Sequence, residues 1–327
     1  MVNTGIVLAA MNRQAAVEQH SSSVSAFAWG VYVFTVGVIL YGALVRITGS
    51  GAGCGQHWPT CHGEILHLPQ SVETIIELTH RITSGIDLLL VIALTIVAWK
   101  KFRPGHPSRS ASVAAVFLMI TEALIGARLV LGNLVGMDMS MSRVTTMSLH
   151  LLNTSFLVAA LLLVAWSSSL QHPFRWSFRG SAQWVLFGSL VLILFVSSTG
   201  AITALGDTVF PVDTSSHGFV ERIAADQSIG AHFLQRVRLI HPATAAVVAV
   251  VLSSIGLNFS HADQMPHVRI WGRSLAIFSF IQVVLGVATI LLGAPGWMQV
   301  THLAFATMLW SVAILLTASV CCIAGDQ

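Results

Sequence analysis

Four histidines stand at matching places along this apolar chain of 327 residues: His80, His150, His241 and His302. Imidazole binds metals and carries protons near neutral pH, so four of them inside hydrophobic runs point to a bound ion or cofactor. Three residues before His80 is Glu77, and three before His241 is Arg238. An i−3 neighbour lies on the same helix face, so one histidine is matched with a carboxylate and the other with a guanidinium. Asp87 and Glu122 place two further acids in apolar surroundings, and buried carboxylates suit proton transfer. Between two apolar runs, the stretch GSGAGCGQHWPTCHGEI, Gly49 to Ile65, gathers Cys54, Cys61, His57 and His62.

The elements that must position these groups are membrane spans. Hydrophobic residues make up 55% of the chain and charged residues 9%, far below the share of a soluble domain. Apolar runs long enough to cross a bilayer fall at 25–45, 75–99, 110–131, 144–166, 182–204, 235–259, 270–292 and 298–322. The N-terminus has the pattern of neither a cleaved signal peptide nor an Arg-rich transit peptide. Basic residues collect in alternate loops: Lys100, Lys101, Arg103 and Arg109, then Arg175 and Arg179, then Arg269 and Arg273. By the positive-inside rule these loops and both termini are cytoplasmic, in a bacterial inner membrane, whereas the Cys54 stretch and the long loop 205–233 are extracytoplasmic. The net charge of +3 follows from this topology and points to no nucleic-acid partner.

The chain reads as an internal repeat. Gly42-Ala-Leu-Val-Arg-Ile-Thr resembles Gly200-Ala-Ile-Thr-Ala-Leu, and His80 is matched by His241, Glu122-Ala-Leu-Ile-Gly126 by Gln282-Val-Val-Leu-Gly286, and His150 by His302. Four helices per repeat is an even number, so both halves have the same orientation. The expected fold is all-α, about eight transmembrane helices forming two tandem pseudo-symmetric four-helix bundles. A cytoplasmic tail of residues 1–24 would precede an N-terminal bundle over 25–169 and a C-terminal bundle over 170–327.

Each histidine lies about four to six residues into an even-numbered helix, roughly 6–9 Å below the outer boundary. Two imidazoles at equal depth on parallel helices can grip a planar ligand, the arrangement of bis-histidine haem in a four-helix bundle. The alternatives are a core histidine bonded to a neighbour, or structural zinc, which commonly uses thiolates that are missing at this depth. Arg238 and Arg143 suit haem propionates through bidentate charged hydrogen bonds. Asp87, about 10 Å deeper than His80 on the same face, and Glu122 offer a proton path. The second half has Gln282 in place of Glu122 and no acid within the expected spans, so the first half is the one expected to do chemistry and the second to hold a resident haem. Against this, Glu77 reads alternatively as a solvated helix-start residue, Asp87 as a structural hydrogen bond, and Glu122 as a partner of Arg128.

Cys54 and Cys61 face an oxidising compartment, where a disulfide is the default, structural or redox-active; a metal site with His57 and His62 is the alternative. Cys321 and Cys322 end the last helix and are expected to be unpaired. The glycines of the loop form no phosphate-binding motif, because no Lys-Ser/Thr follows them.

These residues resemble the heme A synthase family, through Gly42-Ala-Leu-Val-Arg-Ile-Thr-Gly-Ser-Gly, Cys54, Trp58-Pro-Thr-Cys61-His-Gly, Glu77-Leu-Thr-His80-Arg and the three later histidines. The resemblance covers nearly the whole chain after about residue 25. It implies an eight-helix membrane oxidoreductase that converts haem O to haem A by oxidising the C8 methyl through an alcohol to a formyl group. It further implies a haem b cofactor whose iron is held by His241 and His302, substrate haem between His80 and His150, an essential Glu77, and a Cys54–Cys61 disulfide. The implied partners are the haem O substrate, a haem O synthase, terminal oxidase assembly factors, an external electron-transfer protein and membrane lipid. A dihaem b-type quinol-oxidising protein is the alternative from another class, and a haem transporter or chaperone is a third.

Overall fold

The computed structural model describes residues 4–65, 68–170, 174–176, 180–211, 218–262 and 265–324. In chain order its helices are α1 (Thr4–Ile47), α2 (Val72–Lys101), α3 (Pro107–Leu131), α4 (Met141–Ser167), α5 (Ser181–Val209), α6 (Phe219–Asp226), α7 (Phe233–Arg236), α8 (Ile240–Phe259), α9 (Pro266–Leu291) and α10 (Gly296–Cys321). Among the described residues, eight helical segments are long and apolar enough to span a membrane: Ser23–Ile47 within α1, α2, α3, α4, α5, Phe233–Phe259, α9 and α10. The protein is therefore a multi-pass, all-helical membrane protein, as its apolar runs imply. One short antiparallel pairing, Phe174–Trp176 with Cys322–Ala324, is added, and it ties the chain after α4 to the chain after α10.

Helix starts follow local chemistry. Ser71 caps α2 by accepting from the Thr74 amide, and Ser140 caps α4 by accepting from the Arg143 amide. His106 caps α3, where Pro107 occupies the first turn, a position at which a missing N–H costs nothing. The span around His241 is not one regular helix. A 3-10 turn, Val237–Leu239, joins α7 to α8, and Pro242 stands in the first turn of α8.

Helices α1 to α4 pack in sequence and close through an α1–α4 contact; α5, α8, α9 and α10 form a second ring closed by α5–α10. The rings meet along α4–α5, α1–α10 and α4–α10. Tyr32 on α1 hydrogen-bonds Ser311 on α10 at 2.6 Å, and the indole N–H of Trp310 donates to the Ser155 carbonyl on α4 at 2.8 Å. In lipid such polar ties and small-residue contacts replace a hydrophobic driving force. Gly256 and Gly272 bring α8 and α9 so close that a Cβ on Gly256 would lie 2.7 Å from the Gly272 carbonyl oxygen.

Two boundaries differ from the sequence reading. Helix α5 runs on to Val209, past the expected end at 204, so Asp207 lies inside a span of the second half, which was expected to hold no acid. The helix tolerates that carboxylate because Arg238 neutralises it at 3.0 Å. The long loop accordingly starts at Phe210; its residues 212–217 lie outside the described residues, and 219–226 form α6. Cys321 is free and buried, whereas the side chain of Cys322 lies outside the described residues.

Candidate functional site

The first histidine pair comes from α2 and α4. His80 packs against the backbone of α1 at Gly42, where an added Cβ would lie 3.0 Å from the ring, and the Tyr41 ring stacks at 6.2 Å. Only a glycine lets helix and imidazole approach this closely. His150 has its Nδ1 2.9 Å from Glu122 Oε1 on α3. Glu122 is held in turn by the Asn153 amide at 2.6 Å and by the Thr154 hydroxyl, both on α4. Arg128, the partner considered for Glu122, donates instead to Thr146 and Ser142. A carboxylate on Nδ1 fixes the ring and raises the basicity of Nε2, the usual support of a metal-bound histidine.

Glu77 lies one helical turn before His80, nearer the start of α2. It is 3% exposed, so it is no solvated helix-start residue. One oxygen accepts from the Cys54 amide at 2.7 Å; the other accepts from Arg81 Nε at 3.1 Å and also from Arg81 Nη2. Arg81 Nη1 donates to the carbonyls of His57 and Thr60. Cys54 and Cys61 are joined in a disulfide, as the oxidising-side location suggested. That bond uses both thiols, and among the described residues no group of three or more His, Cys, Asp or Glu is arranged to hold a metal ion. The loop is seated on α2 through the Thr74 hydroxyl, which donates to the Gly53 carbonyl at 2.7 Å, and at Gly53 a Cβ would lie 2.5 Å from the Glu73 backbone.

Asp87 is buried between α2 and α1 and accepts from the Thr35 hydroxyl at 2.8 Å. Arg143, also buried, donates from Nη1 to the carbonyls of Gly136 at 2.6 Å and Asp138 at 2.8 Å, which leaves its buried Nε without a protein partner.

The second pair comes from α8 and α10. His241 packs on Gly200 of α5, where a Cβ would lie 2.9 Å from the ring, so the contact made by Gly42 and His80 recurs here. Its Nδ1 lies 3.2 Å from both the Val196 carbonyl and the Thr199 hydroxyl; with Nδ1–H donating to the carbonyl, Nε2 carries the free lone pair. The His241 and His302 ring centres are 6.3 Å apart with the planes at 86°. Two imidazoles sharing one metal through bonds of about 2 Å put their ring centres roughly 6 Å apart, so this spacing fits an iron held between them. Gln282 on α9 also reaches its histidine, but at the other ring nitrogen from the one Glu122 meets on His150: its amide is 3.3 Å from His302 Nε2 and donates to the His302 carbonyl at 3.2 Å.

Arg238 is engaged by the protein itself. It pairs with Asp207 and Asp226, each at 3.0 Å, and donates to the carbonyls of Gly206 at 3.1 Å and of Phe210. Two residues given no role from the sequence join the site here. One is Asp207. The other is Arg46, which reaches from α1 into the second ring and donates to the Ala204 carbonyl at 2.7 Å, Thr208 Oγ1 at 2.5 Å and Gln299 Oε1 at 3.0 Å. The signal for Arg46 was its counterpart in the repeat: the matching position is Ala204, the residue whose carbonyl it binds.

Eight candidate spans, histidines carried on α2, α4, α8 and α10, and a disulfide-closed loop between α1 and α2 define a class of helical multi-pass membrane proteins. Residues 25–314 match the family model described as cytochrome oxidase assembly protein, COX15-CtaA, and the chain belongs to that family. Among its relatives is a protoheme IX farnesyltransferase of Thermus thermophilus, 41% identical over 298 residues, which are 91% of this chain and 48% of that protein. The chain thus spans about half the length of that relative. A heme A synthase of Bacillus cereus (strain G9842) is 28% identical over 84% of this chain and 86% of its own length. A heme A synthase of Alkalihalophilus pseudofirmus is 48% identical over 90 residues, 28% of this chain and 30% of its own.

Proposed function

We propose that this protein is a heme A synthase, a membrane oxidoreductase that takes haem O between His80 and His150 and oxidises its C8 methyl through the alcohol to the formyl group of haem A. The observation that carries the reading is the chemical difference between the histidine pairs. The first has Glu77 one turn above His80 and Glu122 against His150; the second has Arg238 and Gln282 at the matching places. A scaffold needing only to hold two haems alike would not need carboxylates in one half and none at the same places in the other.

Haem b is the cofactor, held by His241 and His302, and when bound it supplies one-electron redox chemistry to an external electron-transfer partner. The remaining roles belong to the chain. Gly42 and Gly200 set the imidazoles, and Glu122 orients His150. Glu77 accepts a proton as hydrogen leaves the methyl or alcohol carbon, and its charge favours electron withdrawal from the macrocycle. Arg143, with its unpartnered Nε, is the propionate contact in the first half. Arg238 serves the second half by fixing the approach to His241 through Asp207 and Asp226, with a propionate as a further acceptor. Asp87 and Glu122 form the proton path inward from the site.

The two rings are an N-terminal catalytic bundle, 25–169, and a C-terminal haem b bundle, 170–327, related as repeats, with 1–24 as a cytoplasmic tail. Both termini face the cytoplasm of a bacterial cell. The basic loops support this, and so does the pairing of 174–176 with 322–324, which puts the ends of α4 and α10 on one face. Haem O has to come from a farnesyl-transferring haem O synthase, and terminal oxidase assembly factors would receive the product. The Thermus relative named as a farnesyltransferase, twice as long, is consistent with such a neighbour.

Pigment analysis tests the reading. The protein, purified from cells that co-express a haem O synthase, should yield haem A or haem O beside haem b. Haem b alone, with haem O abundant in the membrane, would contradict the assignment.

A further inference from the structure

The Glu77 carboxylate does not stand free beside His80. It is bound on one side by the Cys54 amide and on the other by Arg81, whose guanidinium also holds the His57 and Thr60 carbonyls. All three loop partners belong to the ring closed by the Cys54–Cys61 disulfide. Both cysteines are buried, at 0% and 1% exposure, so a reductant reaches the bond only after the loop lifts from α2. The polar contacts that hold the loop down include Thr74 on the Gly53 carbonyl and this Glu77–Arg81 pair, beside the close packing of Gly53 on the Glu73 backbone.

We propose that Arg81 is a positioning residue that latches the disulfide ring onto Glu77, so that the closed ring fixes the carboxylate beside the substrate and the carboxylate in turn shields the disulfide. The proposal rests on the reading of Glu77 as the reacting carboxylate. Guanidinium geometry explains the choice of residue. Its planar fork engages one carboxylate and two carbonyls at once, which an ammonium cannot do in the same plane. Coupling of this kind is reciprocal: if the ring orders Glu77, then Glu77 and Arg81 order the ring. Opening the disulfide loosens the His57 and Thr60 carbonyls, frees Arg81 to swing, and leaves Glu77 in place with altered direction and charge balance.

The test uses the full-length, haem-loaded protein with dithiothreitol as probe. Its two thiols deliver two electrons and two protons: the Cys54–Cys61 bond breaks, each cysteine gains a proton, and the reagent closes to its own cyclic disulfide. In Arg81→Gln the rate of reduction, followed by alkylation and mass mapping, should rise about tenfold or more, since a charged hydrogen-bond network no longer seats the loop. In the same variant kcat for haem O oxidation should fall by about tenfold or more, while KM for haem O and haem b content stay within about twofold. Arg81→Lys should fall between wild type and Arg81→Gln, and it carries the same test should Arg81→Gln fail to insert. Combining Arg81→Gln with Cys54→Ser and Cys61→Ser should cost little more activity than either change alone, because both break one latch. A wild-type reduction rate in Arg81→Gln, or fully additive losses, would overturn the latch. Undiminished haem A in Glu77→Gln would overturn the reading of Glu77 beneath it and thereby the proposal; loss of haem A in Glu77→Gln with normal turnover in Arg81→Gln would sink the latch alone.

Discussion

Glu77 carries two jobs in a small volume. Its buried carboxylate seats the disulfide-closed loop through Cys54 and Arg81, and it lies one turn from His80. Glu77→Gln preserves an acceptor for the Cys54 amide but removes the charge that Arg81 holds. The variant should insert, keep haem b, and accumulate haem O or its alcohol in place of haem A, as read by chromatography of extracted haem; collapse of the haem b signal as well would mark a purely structural role. The spacing of Glu77 and His80 was legible in the sequence, because three residues on one helix define a face. Arg81, four residues on from Glu77, lies within the helix period. The Cys54 amide was not legible: it meets Glu77 because Gly53 lets the loop touch the start of α2, a contact decided by folded backbone geometry.

At the scale of elements, helix α5 is the instructive case. A hydropathy run ends where charge begins, so Asp207 looked like loop; the helix continues because Arg238, brought in by the 3-10 turn before α8, neutralises it. Arg238 likewise looked free for a ligand, since Asp207 and Asp226 are joined to it by folding rather than by helix period. The glycines were more readable. Gly42 and Gly200 occupy matching motif positions, and each lies against a histidine. Gly200→Ala forces the His241 ring to move, a strain of about 1–3 kcal/mol in a packed interior. Haem b occupancy of that variant, measured by the reduced α-band per protein, should drop severalfold, whereas Gly30→Ala, where a Cβ meets nothing within 4 Å, should keep full occupancy. Equal occupancy in the two variants would mean that the close approach at Gly200 does not set the ligand.

At the scale of the whole molecule, the two rings are tied by a few polar contacts across an apolar seam: Tyr32 to Ser311, Trp310 to Ser155, and Arg46 to Ala204, Thr208 and Gln299. The eight spans were legible from composition because lipid enforces a long, charge-poor run for each crossing. The seam was not, because its partners are separated by about a whole repeat or more. Arg46→Leu should leave the Gln299 oxygen short of a donor, at a cost of about 1–3 kcal/mol. A lowered Tm in detergent, with the haem b spectrum kept, is the expected result; an unchanged Tm would mean that the rings hold together without it.

The division of labour between the rings is the central claim, and haem analysis of four single variants tests it most directly. Each of His80→Ala, His150→Ala, His241→Ala and His302→Ala is purified from cells supplied with haem O, and haem b, haem O and haem A are quantified per protein. His241→Ala and His302→Ala should lose most low-spin haem b. His80→Ala and His150→Ala should keep haem b in full and lose haem A. Retention of haem b in both second-half variants, or its loss in all four alike, would contradict the account.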